Sequence, residues 1–345
     1  MSSPTQDNFS ASDDNMPPSP EKLHASPHTM QKRSSKNVVL IPQPSDDEDD
    51  PLNWPIRKKI IIFACICLAG FAGQMSPNSN QLTFVLQIPT YGKTQADLLN
   101  TVAASLAGWM AGPFLFTPFA GLVGRSSVIL WSLVGTFACQ IWAANMTDPD
   151  DFIPFTISRL ICGLFGVIPA IMGTGYIMDM FFLHQRGKAF AIFEVLIIFA
   201  VVGGGTLGGF IAESKPWEYV FWWTLGPVGG AIILVFLFVE DTTFSRDLSV
   251  PRRAPMPKSW LSNRVATFFP GSATQPIGRF AEFKRRAIVP LQITIAPITL
   301  SVGTFLAFFT MTAWIGILGA QAYGYFFNDT IPLWVARRRG GVWHP

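Results

Sequence analysis

Three ionisable residues stand inside long apolar stretches: Arg159, Asp179 and Glu194. A charge in such a place is costly and needs a reason. Arg159, about a third of the way into its stretch, suits a water-filled path in which it takes part in substrate or proton coupling. A structural reading stays open: it snorkels outward or binds helix-end carbonyls. Asp179 lies near the inner end of the same stretch. At about 1.5 Å per helical residue the two stand about 30 Å apart and cannot pair. Arg159 therefore needs another partner or an aqueous cavity. Asp179 is expected to act as a cap, or to pair with the basic turn that follows it, Arg186 and Lys188. Glu194 lies about two turns into the next stretch, where proton coupling and a structural role are both open.

Other residue types extend the list. The first apolar stretch ends Gln74-Met75-Ser76-Pro77-Asn78. The amides of Gln74 and Asn78 either line a substrate entrance or form a wet outer cap. Gly203, Gly204, Gly205, Gly208 and Gly209 fall in one stretch. Small residues four apart, 204 with 208 and 205 with 209, let helix backbones approach closely. No Ser/His/Asp set, HExxH, paired carboxylates or phosphate loop is present. His24, His28, His184 and His344 fall in tails or turns, and Cys65, Cys67, Cys139 and Cys162 lie in apolar stretches with no partner at metal spacing. The expectation is no metal, no cofactor and no enzyme.

These residues are carried by a chain of 345 residues, 49% hydrophobic, with only 14% charged residues and a mean hydropathy of +0.34. Soluble domains carry about 25% charged residues. The composition excludes a single soluble domain, a disordered chain, a coiled coil and a disulfide-rich module. A net charge of +3, scattered between apolar runs, is no nucleic-acid footprint. Eight apolar segments follow one another near 60–80, 98–122, 126–145, 153–178, 188–212, 219–239, 289–309 and 311–327. About 20 residues of helix cross a hydrocarbon core, and lipid tolerates no open strands. The fold class is thus all-α, a polytopic membrane protein. The expected parts are a disordered cytosolic tail (1–58), a six-helix bundle (59–240), a cytosolic connector (241–288), two further transmembrane helices (289–336) and a cytosolic end (337–345).

Lys and Arg set the orientation. Arg57, Lys58 and Lys59, Arg125, Arg186 and Lys188, the stretch 240–288 and Arg337–Arg339 fall on one side, against Lys93 and Lys215 on the other. The positive-inside rule makes the rich side cytosolic, with the N-terminus inside. The sequon at Asn145 then faces outward as a glycosylation site.

Several motifs recur in a set order. Asp50-Pro-Leu-Asn-Trp-Pro55 precedes Arg57-Lys58-Lys59. The 2–3 turn reads PFAGLVGRSSVIL (118–130) and contains Gly124 and Arg125. Then come Arg159-Leu-Ile-Cys-Gly163, Asp179 through Arg186-Gly187-Lys188, Gly204-Gly205-Thr-Leu-Gly208-Gly209, Trp217–Trp222, Glu240–Phe244 and Phe327–Arg339. This order resembles the major facilitator superfamily, in particular fungal twelve-helix members of its drug:proton antiporter branch, over about residues 48–345. The departures are Gly121 and Leu122 at the acidic and basic loop positions, Gly205 in place of Pro, and Glu218 in place of Arg.

The resemblance implies a six-helix N-terminal bundle plus two helices of a second half, as if truncated after the eighth. It implies proton-coupled efflux of a toxin, drug or secondary metabolite across the cell membrane, with a small-molecule substrate, protons and the lipid bilayer as partners. Arg159 and Glu194 would serve proton coupling, Gln74 and Asn78 the cavity, and Gly204, Gly205, Gly208 and Gly209 the rocking contact. Gly124, Arg125, Asp179 and Arg186 would form the loop motifs. The alternatives are a nutrient importer of the same superfamily, or a truncated non-transporting membrane protein. A truncated chain would be expected to self-associate.

Overall fold

The computed structural model describes residues 41–45, 47, 50–81, 83–242 and 259–269, with scattered positions between 288 and 308. Among the described residues the chain is helical and has no strand. Its helices are α1 (Ile56–Asn78), α2 (Ile88–Tyr91), α3 (Gln95–Val123), α4 (Arg125–Ala144), α5 (Phe152–Gly166), α6 (Ile168–Met180), α7 (Leu183–Ser214), α8 (Tyr219–Phe238) and α9 (Trp260–Phe268). Among the described residues, six stretches are long and apolar enough to cross a membrane: α1, α3, α4, the α5–α6 pair, α7 and α8. The segment expected near 153–178 is two helices meeting at Val167. Pro169, near the start of α6, lacks the N–H that would continue the ladder from α5.

Local chemistry fixes the helix ends. Thr94 caps α3, and Asp97 returns the bond to the Thr94 backbone. Gly124 ends α3 and begins α4 at φ 97°, a conformation that L side chains rarely adopt.

Helix α1 is the centre of the bundle. Its Ile62, Ile66, Ala69, Ala72 and Met75 are buried. It packs against α4, α5, α6, α7 and α8. Glycines set the closest approaches. A Cβ on Gly73 would lie 2.6 Å from the Gly166 carbonyl oxygen of α5, and one on Gly166 would lie 2.6 Å from that of Gly73. On α7, a Cβ on Gly204 would lie 2.7 Å from the Met75 oxygen, and one on Gly208 would run into the Ser79 oxygen. Gly205 sits farther off, its nearest neighbours at 3.6 Å. Helices α3 and α5 meet equally closely at Gly108, Gly112 and Gly163. In lipid, where apolar surface gains little by leaving the solvent, such close packing is what holds helices together. The outward faces of α3 and α7 are apolar, with Met110, Phe114, Ile192, Val195, Ile198 and Phe199 exposed.

Several described residues between 45 and 58, assigned to the tail by composition, have defined local contacts. The carboxylate of Asp50, fully buried, accepts from the Ser45 N–H (3.0 Å), the Ser45 hydroxyl (2.9 Å) and the Leu52 N–H (3.0 Å). Lys59 donates to the Leu52 carbonyl at 3.0 Å. Lys58 pairs with Glu240 at the exit of α8 at 2.5 Å.

The expected connector contains α9. Ser127 and Trp131 of α4 both donate to the Phe268 carbonyl, at 2.8 and 3.0 Å. Arg264 donates to the Val239 carbonyl at 2.7 Å and lies 3.6 Å from Glu240. Burial lowers the Arg264 pKa from its ordinary value, while Glu240 pulls it upward. The segments expected at 289–309 and 311–327 and the end at 337–345 lie outside the described residues, apart from position 296 and helical positions at 292, 297–301, 303–305 and 308.

Candidate functional site

Arg159 is among the largest fully buried side chains of the bundle, 1% exposed. It sits on the second turn of α5, where four helices converge. Its Nη2 donates to the Pro77 carbonyl of α1 at 2.6 Å. Its Nη1 donates to Oε1 of Gln140 on α4 at 3.3 Å. Its guanidinium carbon stands 5.2 Å from the ring centroid of Phe221 on α8. Pro77 supplies the acceptor for a simple reason. Carbonyls in the last turn of a helix have no intrahelical donor, and α1 ends one residue later.

Beside Arg159 is a cleft lined by Asn78, Asn80, Gln81, Thr101, Ser105 and Trp109, with Pro77, Val102 and Leu106. Its free volume of about 10 Å³ holds roughly one water. Trp109 Nε1 is buried and has no acceptor among the described residues, and the same holds for Gln140 Nε2 as a donor. The site combines a fixed cation, neutral amides and hydroxyls, and an unused indole donor. These groups offer hydrogen bonds to a polar guest about the size of a water, and the lining contains no nucleophile–base pair.

At the other end of the bundle lies a second constellation. Arg125, the first residue of α4, pairs with Asp179, near the end of α6. Thr242 donates to the same carboxylate at 3.0 Å. Gly124 lies beside Asp241, whose Oδ2 would be 3.0 Å from an added Cβ. Arg186 of α7 donates to the carbonyls of Phe181 (3.0 Å) and Met178 (2.7 Å). The expected pairing of Asp179 with Arg186 and Lys188 is therefore corrected: the partner is Arg125, and Arg186 instead closes the end of α6. The reason is geometric. Arg125 points along the start of α4 toward the end of α6, and it packs over Gly175.

The other sequence-derived residues divide clearly. Asn78 lines the cleft, donates to the Gln74 carbonyl at 2.6 Å and accepts from Gln81. Gln74 is buried on α1, its Oε1 has no partner among the described residues, and it is not part of the cleft lining. Glu194 is exposed on the outward face of α7, away from Arg159. Gly204 and Gly208 meet α1, Gly205 stands further from it, and Gly209 is half-buried. Asn145 is exposed at the end of α4, its amide donating to the Ile141 carbonyl at 2.7 Å.

Sequence reasoning missed Gln140, Thr101, Ser105 and Trp109. Gln140 offered a signal, as an uncharged polar residue in the middle of an apolar run. Ser105 and Trp109, spaced four apart on α3, offered only the weak one of sharing a helix face.

The family model described as Major Facilitator Superfamily matches residues 56–335 of this chain. The "MFS-type transporter penM" of Penicillium rubens is 28% identical over 207 residues, covering 56% of this chain and 37% of that protein. The "Major facilitator superfamily multidrug transporter FLU1" of Candida albicans is 29% identical over 213 residues, covering 61% and 34%. The "Efflux pump radE" of Floropilus chiversii is 29% identical over 206 residues, covering 57% and 36%. The chain thus spans well under half the length of these curated relatives. A proton:xylose symporter, XylE, aligns with a TM-score of 0.49 at 18% identity, over 55% of this chain and 46% of that one.

Proposed function

This chain belongs to the Major Facilitator Superfamily, and on that premise we propose that it exports small organic molecules, a toxin, drug or secondary metabolite, in exchange for protons. The observation that carries the reading is Arg159. A guanidinium buried at the meeting of α1, α4, α5 and α8, beside a polar cleft, is costly in a membrane bundle and fits a solute path. Relatives described as a multidrug transporter and an efflux pump favour export.

The remaining roles follow from position. Asn78 forms part of the cavity wall, and Gln74, outside the lining, holds its position one turn earlier on α1 through its carbonyl. Proton coupling rests on Arg159, because Glu194, the other acid or base proposed for it, is exposed on α7 and apart from the cleft. Gly204 and Gly208, with Gly205 and Gly209 behind them, let α7 rock against α1. Gly124, Arg125, Asp179 and Arg186 hold the inner ends of α4, α6 and α7 together. The N-terminus is cytosolic, Asn145 is glycosylated on the outer side, and the protein resides in the cell membrane.

The test is drug resistance in a yeast strain stripped of its own exporters. Expression of the chain should raise the inhibitory concentration of at least one toxic organic compound. Arg159→Ala, expressed at equal level, should remove that protection. Protection that survives Arg159→Ala would argue against the role given to this residue. Unchanged sensitivity across a broad panel would argue against export.

A further inference from the structure

We infer that Arg159 is the docking point for an anionic group, such as a carboxylate, on the solute that the bundle carries. That the bundle carries this solute rests on the export reading; the anion site does not.

The guanidinium has five N–H donors and no acceptor. Its two hydrogen-bond partners, the Pro77 carbonyl and Gln140 Oε1, are both neutral. No carboxylate lies within ion-pair distance among the described residues. The acids of the spanning helices are engaged or located elsewhere. Asp97 accepts from Thr94 at the start of α3. Asp179 pairs with Arg125. Glu194 and Glu213 are exposed on α7.

Among the described residues the cleft therefore bears a net positive charge. Its other polar lining residues, Asn78, Gln81, Thr101, Ser105 and Trp109, are neutral. One of them adds a second, independent sign of a ligand's polarity. Trp109 Nε1 is a donor only, is buried, and has no acceptor among the described residues. Two unspent donor groups thus border one space, which calls for an acceptor-rich ligand. An uncompensated cation in a low-dielectric site is costly. An arriving carboxylate returns that cost and can engage the planar fork with two parallel bonds. A cation or a neutral solute does neither. The cleft has room for about one water, so binding a carboxylate requires its lining to widen.

The experiment is equilibrium binding to the purified full chain in lipid nanodiscs, with no gradient imposed. The probes are radiolabelled benzoate and benzamide, which share shape and differ in charge. Benzoate is expected to bind saturably, with benzamide at least about tenfold weaker. Arg159→Lys keeps the charge but loses the fork and should weaken benzoate severalfold. Arg159→Gln should erase the preference. If Arg159→Gln does not fold, Trp109→Phe serves in its place and should weaken benzoate alone. Equal binding of the two probes overturns the inference, as does binding of neither, or a preference that survives Arg159→Gln. Because binding is read without transport, a chain that binds benzoate but exports nothing sinks only the export reading. One that exports a neutral compound without preferring benzoate sinks only the anion site.

Discussion

Gly163→Ala should separate α3 from α5 and loosen the wall beside Arg159. An added Cβ would press directly on the Ser105 carbonyl oxygen, with the Ser105 carbonyl carbon at 2.9 Å and Cα at 3.2 Å. All three neighbours are backbone, so no side-chain rotation can relieve the contact. The α3 backbone must retreat by roughly an ångström, at an overpacking cost near the upper end of about 1–3 kcal/mol. Alanine's better helix propensity returns about 1 kcal/mol, leaving a net loss of about 2 kcal/mol. Gly187→Ala is the internal control. Gly187 is helical and nothing lies within 4 Å of its added Cβ, so only the favourable propensity applies. Reversible unfolding of the two variants in mixed micelles should place them about 3 kcal/mol apart, with Gly163→Ala the weaker. Equal stability of the two, or a Gly163→Ala chain as stable as the parent, would refute the claim that backbone contact sets this interface.

Three further outcomes follow from named contacts. The Arg125–Asp179 pair is partly exposed, 31% and 25%, so a double-mutant cycle to Ala should return a coupling of only about 1 kcal/mol; a coupling near zero would remove it as a link between α4 and α6. Gly124→Ala should cost about 1–3 kcal/mol in the same unfolding assay, because φ is 97° there and the Cβ would meet Asp241 at 3.0 Å; a neutral result would contradict the backbone assignment. Tyr91 donates its hydroxyl to the Met146 carbonyl, and burial first, then Asp151 and Glu218, raise its pKa above the ordinary 10. The folded chain thus holds this proton longer than the unfolded one. The contribution is complete below pH 10 and declines as pH rises beyond it; Tyr91→Phe should flatten that decline and cost about 1 kcal/mol at neutral pH.

Much of this arrangement was legible in the sequence, for physical reasons. Six spanning helices announce themselves because lipid demands length and apolarity of each one separately. Arg159 stands out because a lone cation in such a run has no cheap explanation. The close packing at Gly204 and Gly208 follows from their spacing of four. What stayed hidden depends on which helix faces which. Asp179 has basic neighbours close by in sequence, yet Arg125, on a different helix, reaches it. Spanning helices are apolar all round, so their pattern did not mark the inward face of α3 that bears Thr101, Ser105 and Trp109. Glu194 illustrates the same gap, since neither spacing nor hydropathy told that it would point away from Arg159. Helix α9 has nine residues, too few for an apolar run to declare it. It is defined by tertiary contacts of Arg264 and Phe268.

Solute-dependent proton movement is the most direct test of the transport reading. The purified chain would be placed in liposomes loaded with a pH-sensitive dye, under an imposed pH gradient, and challenged with anionic, neutral and cationic aromatic solutes. Coupled exchange predicts a proton flux that appears only with protein and a preferred solute, and that disappears in Arg159→Ala at equal incorporation. Proton flux no greater than in empty liposomes for every solute, or equal in Arg159→Ala, would contradict it.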